Sequence, residues 1–179
     1  MFTVVTGGSG SGKSAFAENL IVADGNEKRI YIATMFPYDQ ESDQRIKRHR
    51  QMRKGKQFET VECYLNLKDL EIAQGSSVLL ECMSNLVANE MFMEKGAGEH
   101  TVEAVLAGIE MLRRRSAHLC VVTNEIFSEA AFYEGDTRRY QEYLGQINRR
   151  MAEMADQAAE VVYGIPLWFK KAGEERGAD

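Results

Sequence analysis

The stretch Gly7-Gly8-Ser9-Gly10-Ser11-Gly12-Lys13-Ser14 decides the fold, because it fits the phosphate-binding pattern Gly-x-x-x-x-Gly-Lys-Ser/Thr without a substitution. The apolar run before it, residues 2–6, is typical of a buried strand, and residues 15–21 after it are typical of a helix. The glycines let the backbone close around an anion, and the helix turns its positive end towards phosphate oxygens. This pattern predicts a nucleoside-triphosphate site in which Lys13 reaches the β- and γ-phosphates and the Ser14 hydroxyl holds Mg²⁺.

Length and composition limit the class of protein. The 179 residues, 44% of them hydrophobic, predict one domain at residues 1–171 followed by a flexible tail at residues 172–179. A net charge of −5 argues against nucleic-acid binding, and no apolar run is long enough to span a membrane. The first strand leaves no room for a signal peptide, so we expect a cytoplasmic protein. The widely spaced Cys63, Cys82 and Cys120 favour reduced structural thiols over a metal site.

Short apolar strands alternate with helices along the rest of the chain. Strands are expected at residues 28–34, 58–62, 76–82, 118–123, 160–163 and 166–169. Helices are expected at residues 39–52, 83–92, 101–115 and 137–158. This order predicts an α/β, single-domain P-loop NTPase fold with a mostly parallel, RecA-like sheet flanked by helices on both faces. Ligands bind at the carboxyl ends of such strands, so we expect one site around the residues that follow Thr6, Thr34, Cys82 and Thr123.

Glu81 ends the apolar run of the predicted strand at residues 76–82. P-loop enzymes place at this position the acid that organises Mg²⁺ and its waters. The alternative is a strand-end carboxylate that only faces solvent. With the phosphate loop present, we favour the metal role and expect Ser14 and Glu81 to form the Mg²⁺ site.

A basic helix follows the second predicted strand. Arg45, His49 and Arg53 are spaced i, i+4 and i+8, so they lie along one face of that helix. Because their like charges repel, an anion such as a triphosphate would stabilise the arrangement. A neutral His49 would be a nucleophile there, and the arginines would stabilise charge developing on an attacked phosphate. From spacing alone, however, a solvated basic face with an incidental histidine is the favoured interpretation.

Further sequence blocks follow in a defined order. They are Val5-Thr6-Gly7-Gly8, Tyr31-Ile32-Ala33-Thr34, Arg45-Ile46-x-x-His49-Arg50-x-x-Arg53, Thr60-Val61-Glu62, Leu79-Leu80-Glu81-Cys82 with Asn89, Val122-Thr123-Asn124-Glu125, Gly145-x-x-Asn148 and Glu160-Val161-Val162-x-Gly164-Ile165-Pro166. With these blocks the chain, up to about Lys170, resembles the bifunctional adenosylcobinamide kinase/adenosylcobinamide-phosphate guanylyltransferase family of cobalamin biosynthesis. It departs from many members at Ser9-Gly10-Ser11, where they carry Arg, and at residues 126–133, which replace a Gly/Pro-containing loop.

This resemblance implies two reactions on one chain and reverses the interpretation of His49. ATP or GTP would phosphorylate adenosylcobinamide. GMP would then pass from GTP, through a guanylyl-histidine at His49, to adenosylcobinamide phosphate, giving adenosylcobinamide-GDP. The implied catalytic residues are His49 and Lys13, and Glu62 is expected near the guanine or ribose. The implied nucleotide contacts are Gly7, Gly8, Ser9, Gly10, Ser11, Gly12, Lys13, Ser14, Ala33, Thr34, Met35, Arg50, Gln51, Met52, Arg53, Glu62 and Glu81.

The family also implies a corrinoid as the small-molecule partner and a homo-oligomer, such as a trimer. A chain of this size encloses little volume, so we expect the corrinoid to bind between subunits. Two other interpretations stay open. A small-molecule P-loop kinase without a covalent histidine would phosphorylate its substrate without labelling itself. A nucleotide-dependent switch or ATPase module would couple hydrolysis to affinity for a protein partner.

Overall fold

The computed structural model describes residues 1–126, 134–171 and 173. Its strands are β1 (Phe2–Thr6), β2 (Arg29–Ala33), β3 (Phe58–Glu62), β4 (Ser77–Glu81), β5 (His118–Val122), β6 (Gln157–Val162) and β7 (Ile165–Lys170). Its α-helices are α1 (Lys13–Ala23), α2 (Gln40–Met52), α3 (Met83–Phe92), α4 (Thr101–Arg115) and α5 (Gly135–Met154). Short 3₁₀ helices occupy Leu67–Asp69 and Gly98–His100.

These strands form one sheet in the order β3-β2-β4-β5-β1-β6-β7. All neighbours are parallel except β6 and β7, which form an antiparallel pair at one edge. Every residue of β4 and β5 is buried, which explains why the apolar residues Val78–Leu80 and Leu119–Val122 are consecutive rather than alternating. Pro166 is tolerated in β7 because an edge strand can lack one ladder donor.

Helices cover both faces of the sheet. Val4, Ile32 and Leu80 point to one face, where they pack in a core with residues of α3, α4 and α5. Their neighbours Val5 and Tyr31 point to the other face, in a core with Ala17 and Ile21 of α1. The predicted fold, a mostly parallel sheet flanked on both faces, is therefore confirmed.

Two adjacent predicted boundaries are wrong. The helix predicted at residues 137–158 is α5, which ends at Met154, and the strand predicted from Glu160 begins at Gln157. The cause is pairing across the sheet, because Thr3–Thr6 of β1 lie parallel to Gln157–Glu160 in register. Strand pairing with the centre of the sheet overrides the local helical pattern of these residues.

The remaining predictions concern the tail, the departure from the family pattern and the cysteines. Of the predicted tail, only Gly173 is described, so the division at residue 171 stays a prediction. Most of the departure at residues 126–133 also lies outside the described residues.

Within the described ranges, no helix is both long and apolar enough to cross a membrane. Cys63, Cys82 and Cys120 are buried and free of disulfides, in agreement with structural thiols.

Candidate active site

The phosphate loop needs glycine at two positions for steric reasons. Gly7 has φ +151°, and a Cβ there would lie 2.6 Å from the carbonyl oxygen of Val161. Gly12 caps α1 with φ +92°, and a Cβ there would lie 3.2 Å from the Cα of Gly164 in the β6–β7 turn. The same turn is held to the loop because Gly164 N donates to Ser11 O at 2.8 Å. The loop therefore closes tightly against the far edge of the sheet.

Lys13 lies folded back inside this loop. Its Nζ donates to the carbonyl oxygen of Gly8 at 3.0 Å, and its side chain is largely buried. Burial lowers the pKa of Lys13 below its ordinary value, while the nearby Glu81 carboxylate acts in the opposite direction. The ammonium is thus held by the loop that is expected to surround phosphate.

Glu81 is the point at which several side chains meet. It lies at the carboxyl end of β4 with 9% of its surface exposed. Ser14 Oγ donates a hydrogen bond to its Oε1, and Tyr31 Oη donates to its Oε2 at 3.0 Å. The predicted pair Ser14 and Glu81 is thus brought into direct contact.

That pair fits a magnesium ion in its choice of atoms. Mg²⁺ is usually bound by one or two protein oxygens together with substrate phosphates and waters. A hydroxyl and a carboxylate oxygen stand side by side at the start of α1, next to the phosphate loop. The described residues contain no cluster of three or more His, Cys, Asp or Glu side chains that could bind a metal alone. The donors therefore suit a metal that arrives with a nucleotide.

His49 reaches the same place from α2. Its Nδ1 lies 3.6 Å from Glu81 Oε1, and this nitrogen is buried without a hydrogen-bond partner among the residues that the structure describes. About a quarter of the side chain, 26%, is exposed. The helix begins with Asp39 as its cap, which accepts from Ser42 N at 2.7 Å, and none of its own residues is buried. His49 thus faces the oxygens of Ser14 and Glu81 from a helix that lies on the surface.

The arginines of this region differ in their surroundings. The guanidinium of Arg53 is buried and lies 3.4 Å above the centre of the Tyr31 ring. Its Nη2 makes a long contact of 3.5 Å to Thr60 Oγ1, and its Nη1 has no hydrogen-bond partner in the described part of the chain. Arg50 instead donates to Glu62 at 2.8 Å, and Arg45 pairs with Glu41 at the same distance. Arg53 therefore keeps an unpaired donor inside the site.

These groups line one cavity of about 380 Å³. Most of the predicted residues lie on its wall: Ser9, Gly10, Ser11, Gly12, Lys13, Ser14, Ala33, Met35, His49, Arg50, Met52, Arg53, Glu62 and Glu81. Sequence reasoning missed several others, among them Tyr31, Arg48, Thr60 and Asn85. Asn124 also lies on the wall. Asn124 follows β5, at one of the strand ends where a site was expected. Tyr31 carries no such signal, because its sequence position is that of an ordinary core residue of β2.

Four predicted contact residues do not line the cavity. Gly7 is buried beside the carbonyl oxygen of Val161, whereas Gly8 is exposed and its carbonyl oxygen accepts from Lys13 Nζ. Thr34 is fully buried, where its hydroxyl donates to Cys82 O at 2.7 Å and ties the end of β2 to that of β4. Gln51 faces a separate, shallow depression near the end of α2. Thr34 therefore supports the strand ends below the cavity and is not positioned to contact a bound nucleotide.

The parallel sheet and the glycine-rich loop define a P-loop NTPase-like protein. Two solved structures with this fold are an ATPase domain and a KaiC-like protein, PH0186, from Pyrococcus horikoshii OT3. The ATPase domain has a TM-score of 0.50 and 8% identity, and the match covers 89% of this chain and 68% of that chain. The KaiC-like protein has a TM-score of 0.51 and 13% identity, covering 99% of this chain and 82% of that chain. At such identities the likeness concerns the fold alone.

Sequence comparison gives the family. A family model described as cobinamide kinase / cobinamide phosphate guanyltransferase matches residues 3–169. The chain is 32% identical to the bifunctional adenosylcobalamin biosynthesis protein CobU of Salmonella typhimurium and 33% identical to that of Escherichia coli. Each alignment covers 95% of this chain and 100% of the relative. The protein CobP of Pseudomonas aeruginosa, with the same description, is 29% identical over 95% of this chain and 98% of its own.

The chain therefore belongs to the cobinamide kinase / cobinamide phosphate guanyltransferase family. The predicted family and enzyme class are confirmed, and with them the assignment to cobalamin biosynthesis.

Proposed function

We propose that this chain phosphorylates adenosylcobinamide and then transfers GMP to the resulting phosphate through His49. The observation that carries the proposal is the position of His49, which lies on the wall of the phosphate-loop cavity with its Nδ1 3.6 Å from Glu81. An incidental surface histidine would have no reason to face the strand-end carboxylate of a P-loop site. Its partial exposure leaves room for an incoming phosphate.

Guanylyl transfer proceeds in two displacements. An imidazole nitrogen of His49 attacks the α-phosphorus of GTP, the bond to the bridging oxygen breaks, and pyrophosphate leaves. A phosphate oxygen of adenosylcobinamide phosphate then attacks the same phosphorus. The N–P bond breaks, adenosylcobinamide-GDP forms, and His49 returns to its neutral state. The unpaired Nη1 of the buried Arg53 is suited to stabilise charge on the attacked phosphate.

The kinase reaction uses the same phosphate loop. The hydroxyl oxygen of adenosylcobinamide attacks the γ-phosphorus of ATP or GTP, the nucleoside diphosphate leaves, and the hydroxyl proton is lost to solvent. Lys13 neutralises the β- and γ-phosphate oxygens in both reactions. Ser14 and Glu81 would hold Mg²⁺, which when bound offsets the remaining phosphate charge. We place both reactions in the cytoplasm, where the two triphosphates are available.

The corrinoid requires a surface beyond the nucleotide cavity. At about 380 Å³ the cavity has room for a nucleotide but not for a nucleotide and a corrinoid together. We therefore propose a homo-oligomer, such as a trimer, in which the corrinoid binds between subunits. The row of exposed apolar residues on β7, Ile165, Leu167 and Phe169, supports this proposal as a subunit contact.

The decisive experiment is labelling of the protein with Mg²⁺ and GTP that carries the label on its α-phosphate, followed by a denaturing gel. We expect a labelled chain whose bond resists alkali and breaks in acid, as a histidine–phosphorus bond does. His49→Ala should abolish the label. The matched control is His100→Ala, because His100 is exposed and does not line the cavity.

Three results would contradict the proposal. An unlabelled wild-type protein that nevertheless binds GTP would favour a P-loop kinase without a covalent histidine. A label that survives in His49→Ala would place the intermediate on another residue. Hydrolysis without either product would favour the switch or ATPase module.

A further inference from the structure

A line of buried contacts runs beneath the cavity from Arg53 through Tyr31 to Glu81. Tyr31 lies in the middle of β2 with 3% of its surface exposed, yet it also reaches the cavity wall. Its hydroxyl donates to Glu81 Oε2 at 3.0 Å, and its ring face carries the Arg53 guanidinium at 3.4 Å. Neither the family resemblance nor the sequence pattern gives this tyrosine a role in the site.

The two oxygens of Glu81 have different neighbours. Tyr31 contacts Oε2, whereas Ser14 Oγ and His49 Nδ1 both approach Oε1. The terminal torsion of a glutamate is soft, so with the Ser14 hydrogen bond alone this carboxylate would be held less firmly than with both hydroxyls. By fixing one oxygen, the tyrosine hydroxyl fixes the other, and with it the distance from Oε1 to Ser14 and His49.

We propose that Tyr31 is a positioning residue, which orients the Glu81 carboxylate so that Oε1 accepts the Nδ1–H of His49 and leaves Nε2 as the nucleophile. This inference rests on the proposed guanylyl transfer. The present 3.6 Å separation is slightly longer than a hydrogen bond, and such contacts commonly shorten when substrate binds. A carboxylate that accepts from one ring nitrogen sets the tautomer and the basicity of the other.

The ring of Tyr31 makes a second, separable contribution. Phe58 packs against one edge of the ring at a centroid distance of 6.2 Å, and Arg53 covers its face. The ring thereby holds the guanidinium whose Nη1 is unpaired.

Tyr31→Phe separates these contributions, because it removes the hydroxyl and retains the ring. We expect the single-turnover rate of His49 guanylylation to fall about tenfold or more, as misplacement of a reacting group does. We also expect a larger share of product bonded through Nδ1, measured by phosphorus NMR of the labelled protein. The thermal unfolding temperature serves as the fold control. The matched variant is Tyr143→Phe, which removes an exposed hydroxyl bonded to Glu99 O and should change neither measurement.

A double-mutant cycle with Glu81→Gln tests whether Tyr31 acts through Glu81. In the Glu81→Gln protein, Tyr31→Phe should have little further effect on the labelling rate. If Tyr31→Phe lowers the labelling rate by the same factor in the Glu81→Gln protein as in wild type, the two residues act independently and the proposal is overturned. The proposal is also overturned if Tyr31→Phe changes neither the rate of His49 guanylylation nor the share of product bonded through Nδ1. The same holds if a lower unfolding temperature is the sole effect of Tyr31→Phe.

A third measurement does not need the covalent step. Because Glu81 also contacts Ser14, we expect the gain in GTP affinity on adding Mg²⁺ to be about tenfold smaller in Tyr31→Phe than in wild type. If the wild-type protein is not labelled at all, the proposed function fails, and this binding measurement alone decides whether Tyr31 positions Glu81. An undiminished Mg²⁺ effect would then reject the inference.

Discussion

At the scale of single residues, Gly12 shows how closely the phosphate loop depends on a distant turn. Gly12→Ala places a Cβ 3.2 Å from Gly164 Cα and forces φ +92°, which costs a residue with a side chain about 1–2 kcal/mol. We expect the dissociation constant for GTP to rise about tenfold, because the loop can no longer close around phosphate. Calorimetric titration with GTP and Mg²⁺ measures it.

The control for this change is Gly25→Ala. Gly25 also has a positive φ, +75°, but a Cβ there meets nothing within 4 Å, and the residue lies outside the cavity. Gly25→Ala therefore introduces the same kind of backbone strain without a steric conflict at the phosphate loop. Equal losses of GTP affinity in the two variants would show that the contact with Gly164 is irrelevant.

Sequence spacing was sufficient to predict the site residues that belong to short, local patterns. Lys13 and Ser14 follow from the loop motif, and the contact between Ser14 and Glu81 followed from the rule that sites form at strand ends. Tyr31 could not be found this way. Its partner Glu81 lies 50 residues further along the chain, and only the pairing of β2 with β4 brings the two together. A buried hydroxyl gives no sequence signal of its own.

At the scale of elements, α2 differs from the other α-helices because none of its residues is buried. It is held by the Asp39 cap, by the pair of Arg50 with Glu62, and by the buried Arg53 that follows it. Few buried apolar contacts imply a low local free energy of opening. We expect its amides to exchange hydrogen faster than those of α3, and to be slowed by GTP with Mg²⁺.

Hydrogen exchange followed by mass spectrometry measures this difference, and α3 (Met83–Phe92) is the internal reference because most of its residues are buried. GTP should leave the exchange of Leu86, Val87 and Asn89, which are buried and do not line the cavity, nearly unchanged. Equal protection of both helices without nucleotide would mean that the polar contacts alone hold α2 as firmly as a hydrophobic core would.

Element boundaries were predictable where local and tertiary preferences agree. α3 and α4 have the bounds expected from their sequence, whereas α5 ends four residues before its predicted end at residue 158. The helical pattern of residues 155–158 is real but weaker than the ladder that Gln157 and Ala158 make with β1. A single sequence contains no direct record of such a pairing.

At the scale of the whole molecule, β7 presents an uncovered apolar row. The opposite face of β7 is covered, since the ring of Trp168 packs edge-on against that of Phe16 of α1 with 5.9 Å between the ring centroids. We expect Leu167→Glu, at a position 49% exposed, to shift the protein towards monomer without lowering its unfolding temperature. GMP transfer to adenosylcobinamide phosphate should fall, while labelling of His49 by GTP persists.

Sedimentation velocity gives the oligomeric state, and the control is Phe92→Glu, a similarly exposed apolar position at the end of α3. A wild-type protein that is monomeric at assay concentration and fully active would exclude a corrinoid site between subunits. Unchanged assembly in Leu167→Glu would exclude β7 as the contact.

The order of the sheet also governs when the protein can form during its synthesis. β1 is made first, but its two neighbours are β5 and β6, which begin at His118 and Gln157. When synthesis has reached the end of α4, the phosphate loop and β1 have been made, but β5 and β6, the strands that pair with β1, have not. The turn at Gly164, which seats the loop, arrives later still. Nucleotide binding by the nascent chain must wait until Gly164 has been made. Until β5 has been made, β1 is an unpaired apolar strand exposed to aggregation.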